Sequence, residues 1–263
     1  LHSVHLPHFS DSAEQLTRKV PVPEEVTISM AQHIGAPCEP LVKVGDKVLV
    51  GQKIGDTSAF MSAPVHASVS GEVTEMCKAV TIKSDNRMEV CPDIKPPKIE
   101  SREDFLRAVR ESGAIGLGGA GFPTHVKLAY DRAKVNIEYL LINGAECEPY
   151  ITSDYREIME NTDAVIGGIK LVLKWLEIPH AIIGIEADKP EAISKLTKLT
   201  AAIPEITVRK LPSSYPQGAE KVLVHNLTGR IVGEGMLPSD CGCVVMNVST
   251  AGFIHSYVRT GMP

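Results

Sequence analysis

Residues 139–149 read YLLINGAECEP, an apolar run that passes directly into polar residues. Tyr139 to Ile142 has the composition of a buried strand. Further along the chain, the strand-like runs AIIGIEA (181–187) and ITVRKL (206–211) alternate with helical stretches. That order predicts βαβ units, and therefore an α/β domain with a mostly parallel sheet.

The polar residues after the first strand form a candidate ligand site, because open α/β sheets bind ligands beyond the carboxyl ends of their strands. Asn143 offers both a donor and an acceptor to the edge of a heterocycle. Glu146 and Glu148 are suited to acid–base chemistry, or to accepting hydrogen bonds from ribose hydroxyls. A solvated acidic loop is the alternative. A nucleophilic role for Cys147 is not favoured, since no histidine lies nearby in the sequence.

A glycine-rich stretch precedes this strand, IGLGGAGFPTHVKL at residues 115–128. Gly116, Gly118 and Gly121 fit the spacing G-x-G-x-x-G, but a dinucleotide fingerprint must follow a strand. Here the preceding residues predict a helix, which begins at a capping box of Ser101 and Asp104 and has Gly113 as its C-cap. Its apolar face consists of Phe105, Leu106, Ala108 and Val109.

The glycines are nevertheless too dense for a plain turn. Without Cβ atoms, several backbone N–H groups can approach an anion closely. Pro123 is suited to the first position of the next helix, and Lys127 would follow about one turn later with a positive charge. The sequence therefore favours a phosphate-binding loop over a connector without a ligand.

Composition and charge restrict the possible functions. The chain has 263 residues, 43% of them hydrophobic, and a net charge of −5. This charge gives no basic footprint for nucleic acid, so we expect no nucleic-acid partner. No apolar run approaches the roughly 18 residues of a membrane-spanning helix, so we expect membrane contact only through a partner. The chain begins with Leu1 and has no signal peptide, which is typical of a trimmed chain.

The cysteines and the N-terminal histidines do not predict a metal site. An iron–sulfur cluster needs about four closely spaced cysteines, and the C-G-C pair of Cys241 and Cys243 fits a turn beside a strand. Pro7 breaks any helix that would align the three histidines, so an extended tail is the better interpretation. The cysteines are Cys38, Cys77, Cys91, Cys147, Cys241 and Cys243, and the histidines are His2, His5 and His8.

The chain changes character at CPDIKPPKIES, residues 91–101, whose prolines predict a stiff linker. We therefore place an N-terminal segment and β module in residues 1–100 and the α/β domain in residues 101–263. Within the first part, VKVGDKVLVGQKIGD (42–56) and APVHASVSGEV (63–73) each predict a strand, a glycine turn and another strand.

This pair of repeats resembles the barrel-sandwich fold of lipoyl and biotinyl domains, in which two such hammerheads pack face to face. Carrier domains of that fold present a modifiable lysine at a tip hairpin. Here the tip is TSAFM, residues 57–61, and it has no lysine. The resemblance therefore implies an unmodified structural or docking module.

Several segments resemble the NADH-binding flavoprotein subunit of respiratory complex I and, more strongly, the RnfC family of the Rnf electron-transport complex. The likeness runs in order over nearly the whole chain. Its segments are QHIGAPCEPLVKVGDKVLVGQKI, SAPVHASVSG, GLGGAGFPTHVK, NGAECEP, SYPQGAEKVL and MNVST.

The resemblance implies noncovalent FMN in a Rossmann-like domain, reduced by NADH through hydride transfer without a catalytic protein residue. By the resemblance, the cleft would be lined by Gly116, Gly118, Gly119, Gly121 and Lys127, with Phe122 and Tyr130 against adenine. Contacts to the flavin or the nicotinamide nucleotide would come from Asn143, Glu146, Glu148, Tyr215, Gly218, Glu220, Asn247 and Thr250. Relative to the complex I pattern, Ala145 replaces an acidic residue, Ala219 the first Glu of a pair and Met246 the first Asn of a pair.

The resemblance also implies cellular context. It implies a peripheral, NADH-oxidising subunit of an ion-translocating ferredoxin:NAD⁺ oxidoreductase, cytoplasmic and held at the inner face of the membrane by the other Rnf subunits. Ferredoxin would be reached indirectly. The ferredoxin-like module with two [4Fe–4S] motifs is missing, so we expect an N-terminal fragment. The alternatives are a cobalamin reductase of diol utilisation and a nonredox assembly module.

Overall fold

The computed structural model describes residues 3–7 and 9–263. Its contacts divide the chain into two compact units. The α/β unit consists of the described residues up to Thr17 together with Tyr130–His255, and the barrel unit consists of Arg18–Ala129 together with Ser256–Pro263. The boundaries between these two units do not coincide with the boundary that we predict after residue 100 from the sequence.

The barrel unit contains seven strands in two antiparallel sheets. The four-stranded sheet has the order β1-β7-β6-β3, and the three-stranded sheet has the order β2-β4-β5. The strands are β1 (Glu25–Ser29), β2 (Glu39–Pro40), β3 (Lys47–Val48), β4 (Lys53–Asp56), β5 (Val65–His66), β6 (Gly71–Met76) and β7 (Ala79–Ser84).

The two sequence repeats form the barrel sandwich as predicted. The first repeat contributes β3 and β4 and the second contributes β5 and β6, so each repeat supplies one strand to each sheet. Apolar side chains between the sheets form one core, which includes Val48, Ile54, Val73, Val80 and Ile82. The run PLVKV, residues 40–44, also has the composition of a strand, but it is strand only at its first residue. The strand β7 was not predicted from the sequence.

Helix α1 (Arg102–Glu111) follows the linker and belongs to the barrel unit. Ser101 caps it as predicted, accepting a hydrogen bond from the Asp104 amide, and Gly113 follows its C-terminus with φ +73°. Arg110 pairs with Asp56 of β4 at 2.6 Å. Burial alone would raise the pKa of Asp56, but hydrogen bonds from Arg110 and Lys53 outweigh it and lower that pKa to about 2. This pairing explains why α1 packs with the barrel.

The α/β unit is built on a four-stranded parallel sheet of order β10-β9-β8-β11, which confirms the predicted fold class. Its strands are β8 (Tyr139–Gly144), β9 (His180–Glu186), β10 (Ile206–Leu211) and β11 (Cys243–Asn247). Its helices are α3 (Ser153–Glu160), α4 (Thr162–Leu176), α5 (Pro190–Thr200), α6 (Glu220–Thr228) and α7 (Val248–Thr260), the last of which is counted with this unit as far as His255. The helix α2 (Thr124–Leu128) belongs to the barrel unit.

Burial on both faces explains the continuous apolar runs of this sheet. Leu140, Ile142 and Ile183 are fully buried. Helices α4 and α7 approach closely because Gly168 has no side chain, and a Cβ there would collide with the Ala251 carbonyl. The sequence did not single out β11 as a strand. Cys241 closes a short 3₁₀ turn just before this strand, as predicted for the C-G-C pair.

The N-terminal segment is extended near its start. Val4 pairs with Tyr215 through two backbone hydrogen bonds, from Val4 N to Tyr215 O at 2.9 Å and from Tyr215 N to Val4 O at 2.8 Å. His2 and His8 of the predicted histidine tail lie outside the described residues.

Candidate functional site

The carboxyl ends of the parallel strands place several polar residues at one edge of the sheet. Asn143 of β8 is directly opposite Asn247 of β11. On the other side of β8, Gly144 is opposite Ile185, and β9 ends at the next residue, Glu186. Two segments predicted separately, NGAECEP and MNVST, therefore meet at this edge.

Asn143 holds the loop that follows its strand. Its amide nitrogen donates to the Gly218 carbonyl at 3.0 Å, and its amide oxygen accepts from the Ala145 backbone N–H at 3.1 Å. This side chain therefore connects two of the predicted ligand segments, NGAECEP and SYPQGAEKVL. A Cβ at Gly218 would lie 2.9 Å from the Ala145 carbonyl, so only glycine permits this close approach.

Glu146 is 4% exposed and caps helix α3. Its two carboxylate oxygens accept from the backbone N–H groups of Asp154, at 2.7 Å, and Tyr155, at 3.0 Å. The residue at the N-cap itself, Thr152, makes no side-chain capping bond. Burial raises the pKa of Glu146, although both amide bonds act to lower it. Glu146 thus stabilises the start of α3, and its contact with a nucleotide stays a prediction.

Glu148 has the opposite environment. It is exposed at the loop surface. The thiol of Cys147 faces it, with 3.7 Å between the sulfur and a carboxylate oxygen. Cys147 itself is buried, which raises its pKa and disfavours a nucleophilic thiolate. Of the two carboxylates of this loop, Glu148 is the one available to a ligand in solution.

Asn247 belongs to a polar group that the sequence did not identify. Its amide nitrogen donates to an Asp154 carboxylate oxygen at 2.6 Å, and the Ser249 hydroxyl donates to the other oxygen at 2.8 Å. Burial raises the pKa of Asp154, opposed by these two bonds. Asp154 lies in the run ITSDYR, residues 151–156. Its position in the first turn of the helix that follows the acidic loop could have indicated Asp154 from the sequence.

The remaining predicted residues of this unit lie on the same segments. Tyr215 is 42% exposed and is paired with Val4. Glu220 begins helix α6, and Thr250 is 1% exposed in helix α7. Two of the three departures from the complex I pattern, Ala145 and Met246, are buried.

Glu186, at the end of β9, is a second residue that the sequence reasoning missed. It is fully buried, and neither carboxylate oxygen meets hydrogen-bond geometry with any described residue. Burial and the nearby Asp188 raise its pKa to about 7, opposed by Lys189 and by the Ser214 backbone. It is the last residue of β9, within the run AIIGIEA, so the rule that led to NGAECEP would also have found it.

The N-terminal segment crosses the acidic loop of the same unit. The ring of Phe9 stacks on that of Tyr150, with 4.8 Å between centroids and 7° between planes. Both residues have positive φ, 45° and 69°, which is uncommon outside glycine and asparagine. The hydroxyls of Ser12 and Thr152 lie 2.8 Å apart. The N-terminal segment therefore contacts both the acidic loop and the residues around Tyr215.

The glycine loop lies in the barrel unit and follows helix α1, as predicted. The Gly116 N–H donates to the Phe122 carbonyl at 2.8 Å, and Ile115 bridges Pro123, so the loop closes like a hairpin. Residues 117–120 are exposed at its tip. Gly118 and Gly121 have φ of 71° and 64°, a conformation that side chains disfavour. A Cβ at Gly119 would meet nothing within 4 Å.

The helix after the glycine loop is short. Pro123 is its N-cap rather than its first residue, and Lys127 lies in its last turn. Tyr130 is in the α/β unit, where its hydroxyl donates to the Leu176 carbonyl at 3.2 Å. Leu176 ends α4 just before β9 begins, so Tyr130 lies at the end of the sheet away from Asn143. The contact of Tyr130 with adenine stays a prediction.

Other classes of site have no support among the described residues. No group of three or more His, Cys, Asp or Glu side chains there could hold a metal ion. In the same part of the chain, no helix combines the length and the apolar character needed to cross a membrane.

These groups fit the chemistry of a nucleotide. The carboxamides Asn143 and Asn247 can match the edge of a flavin ring, and the exposed Glu148 can accept from sugar hydroxyls. The open side of Gly119 leaves room for a phosphate against backbone N–H groups. The fold and the polar residues of the α/β unit define a class: a parallel α/β nucleotide-binding unit in a chain that also contains a lipoyl-like barrel.

Comparison with known families gives the particular family. The Nuo51 FMN-binding domain family matches residues 109–256, more than half of the chain, and the chain belongs to this family. The RnfC barrel sandwich hybrid domain matches residues 2–94. The order of these two domains confirms the resemblance to the RnfC family.

Curated relatives of the chain are subunits of ferredoxin:NAD(+) oxidoreductase complexes. The chain is 41% identical to a subunit of the proton-translocating ferredoxin:NAD(+) oxidoreductase complex of Clostridium ljungdahlii, over 97% of this chain and 59% of that protein. It is also 41% identical to the corresponding subunit of the Na(+)-translocating complex of Acetobacterium woodii, over 99% of this chain and 62% of that protein. The chain thus spans about three fifths of the length of these relatives.

Solved structures share the fold. A crystal structure of NAD⁺-reducing [NiFe]-hydrogenase in the H2-reduced state superimposes with a TM-score of 0.52 and 24% identity. The match covers 60% of this chain and 31% of the hydrogenase chain.

Proposed function

We propose that this chain is the FMN- and NADH-binding part of an RnfC-type subunit of an ion-translocating ferredoxin:NAD⁺ oxidoreductase. The observation that carries the proposal is the family membership of residues 109–256, together with the polar residues at the carboxyl edge of the parallel sheet. The two relatives named above are subunits of such complexes.

The residues of the α/β unit would hold the flavin. Asn143 and Asn247 would bind the ring edge, with Tyr215 and the Gly218 backbone beside them, and Glu148 would position NADH. In the barrel unit, the N–H groups of Gly118 and Gly119 and the charge of Lys127 would bind nucleotide phosphate. When bound, FMN accepts a hydride from NADH and passes electrons on singly. The protein residues bind and orient the two nucleotides.

Membrane association and partners follow from the same proposal. A chain of this kind would lie at the cytoplasmic face of the membrane, held there by the other subunits of the complex, and would reach ferredoxin through them. The net charge of −5 supports the absence of nucleic-acid binding.

A flavin titration tests the proposal. Flavin fluorescence should be quenched by the protein with a stoichiometry of one FMN per chain, and riboflavin, which lacks the phosphate, should bind at least about tenfold more weakly. Equal affinity for riboflavin and FMN would contradict phosphate binding, and an absence of quenching by either flavin would contradict the flavin site.

A further inference from the structure

The tip loop of the barrel, residues 57–64 between β4 and β5, presents an aromatic side chain that the proposed function does not use. Phe60 is 70% exposed. Among the described residues of the barrel unit, no other Phe, Tyr or Trp side chain is exposed. Single exposed apolar residues are common, so exposure alone assigns no role. The contacts of the loop are more informative.

The tip loop is fastened to residues 32–36. The His33 Nε2 atom lies 3.1 Å from both the backbone nitrogen and the carbonyl oxygen of Ala63, and the Ala36 N–H donates to the Met61 carbonyl at 3.0 Å. Gly35 permits this contact, because a Cβ there would collide with the same carbonyl. The loop therefore has a defined position although its apolar tip faces solvent.

Residues 32–36 also hold the glycine loop. The Ile34 N–H donates to the Gly121 carbonyl at 3.1 Å. The tip loop, residues 32–36 and the glycine loop thus form one hydrogen-bonded assembly within the barrel unit, and Phe60 lies in its tip loop.

We propose that Phe60 is a substrate-contact residue whose ring stacks on the adenine of NADH while the glycine loop binds the pyrophosphate. This inference rests on the proposed function. His33 is a positioning residue, because it fixes the tip loop without contacting the nucleotide. The tip loop, which has no carrier lysine, would thus form part of the nucleotide site.

The exposure of Phe60 favours NADH over FMN as its partner. NADH must enter and leave in each turnover, and a side chain that is open to solvent can meet it directly. Adenine takes no part in the reaction, so a stacked aromatic ring can bind it without restricting the nicotinamide. Stacking of a base on an aromatic side chain typically changes affinity by about 5- to 100-fold on alanine substitution.

Calorimetric titration of the whole chain with ADP-ribose and with FMN tests the proposal. Phe60→Ala should raise the Kd for ADP-ribose by about tenfold and leave the Kd for FMN within about twofold. Phe60→Trp should restore ADP-ribose binding, and Phe60→Leu should not, because it lacks a ring. Leu41→Ala is the matched control, since Leu41 is 58% exposed in the same unit, and it should bind both ligands like the parent.

The outcomes separate the inference from the proposed function. A parent that binds both ligands and a Phe60→Ala variant that binds ADP-ribose equally well would overturn the inference alone. A rise in the Kd for FMN instead of ADP-ribose would also overturn it. A parent that binds neither ligand would overturn the proposed function and the inference together.

His33→Ala tests the positioning step. Hydrogen exchange at the amides of Ile34 and Ala36 should accelerate, because both amides bond within the assembly that His33 fastens. The KM for NADH should rise several-fold with ferricyanide as acceptor, while kcat stays unchanged. Faster exchange with an unchanged KM would overturn the positioning role.

Discussion

At the scale of single residues, the acidic loop shows how far sequence reasoning reaches. The rule that ligands bind beyond parallel strands located Asn143, Glu146 and Glu148 correctly at the sheet edge. The rule could not predict the hydrogen bonds of these side chains. Those bonds depend on where α3 begins and on how closely Gly218 approaches the loop after β8. Glu146 finds its partners at Asp154 and Tyr155, which no local pattern indicates.

The two carboxylates of the loop should respond differently to the same isosteric change. Glu148→Gln should leave stability within about 0.5 kcal/mol, as expected for an exposed residue, and impair NADH oxidation. Glu146→Gln should cost about 1–2 kcal/mol, because an amide can accept from only one of the two backbone N–H groups. Urea denaturation and NADH–ferricyanide turnover of both variants measure this, and equal stability losses would contradict the capping role.

Glu186 should make stability depend on pH. Its pKa is about 7 in the folded chain, above the ordinary value of 4.5. Between these values the folded state binds more protons than the unfolded state, so stability falls as pH rises. Glu186→Gln removes this ionisation and should be more stable than the parent at pH 8 by about 2–3 kcal/mol, with little difference near pH 4.5.

Urea denaturation of the parent and Glu186→Gln at several pH values checks this expectation. Asp163→Asn, a change in the first turn of α4, is the control for removal of a carboxylate and should not reproduce the effect. A glutamine variant that is less stable than the parent at pH 8 would show that the ionised carboxylate has a stabilising partner.

At the scale of elements, hydrophobic alternation and glycine turns predicted the barrel repeats. Apolar runs that alternate with helical stretches predicted three of the four parallel strands. The strand β11 was not singled out, because CVVMN is a short apolar run, and such a run alone does not distinguish strand from helix. Context was decisive for the glycine loop. The same G-x-G-x-x-G spacing after a strand would have predicted a dinucleotide fold, whereas here it follows helix α1.

The glycine loop can be tested with substitutions that separate strain from ligand contact. Gly119→Ala adds a methyl group that meets no protein atom within 4 Å, so the fold should be unaffected. If phosphate approaches this side of the loop, the Kd for FMN or ADP-ribose should rise at least about tenfold. Gly118→Val should weaken binding further, because it adds backbone strain at φ 71°.

Gly45→Val is the matched control for that strain. Gly45 has φ +91° in the same unit, and a Cβ there meets nothing within 4 Å. This variant should lose stability to a similar extent as Gly118→Val but bind nucleotides like the parent. If Gly119→Ala and Gly118→Val both bound FMN and ADP-ribose like the parent, the glycine loop would not be a nucleotide site.

At the scale of the whole molecule, the sequence predicted two kinds of architecture but not the grouping of the chain. The described residues up to Thr17 count with the α/β unit, and residues from Ser256 count with the barrel unit. These assignments depend on contacts between distant segments, such as the pairing of Val4 with Tyr215. Local periodicity contains no information about such contacts.

The central claim is that this chain binds FMN and transfers a hydride to it from NADH. The most direct measurement is the visible absorption spectrum of the FMN-loaded chain under anaerobic conditions, before and after addition of one equivalent of NADH. We predict loss of the oxidised flavin band on mixing, with NADH consumed in equal amount. A flavin band that persists in the presence of NADH, with the protein folded and FMN bound, would contradict the account.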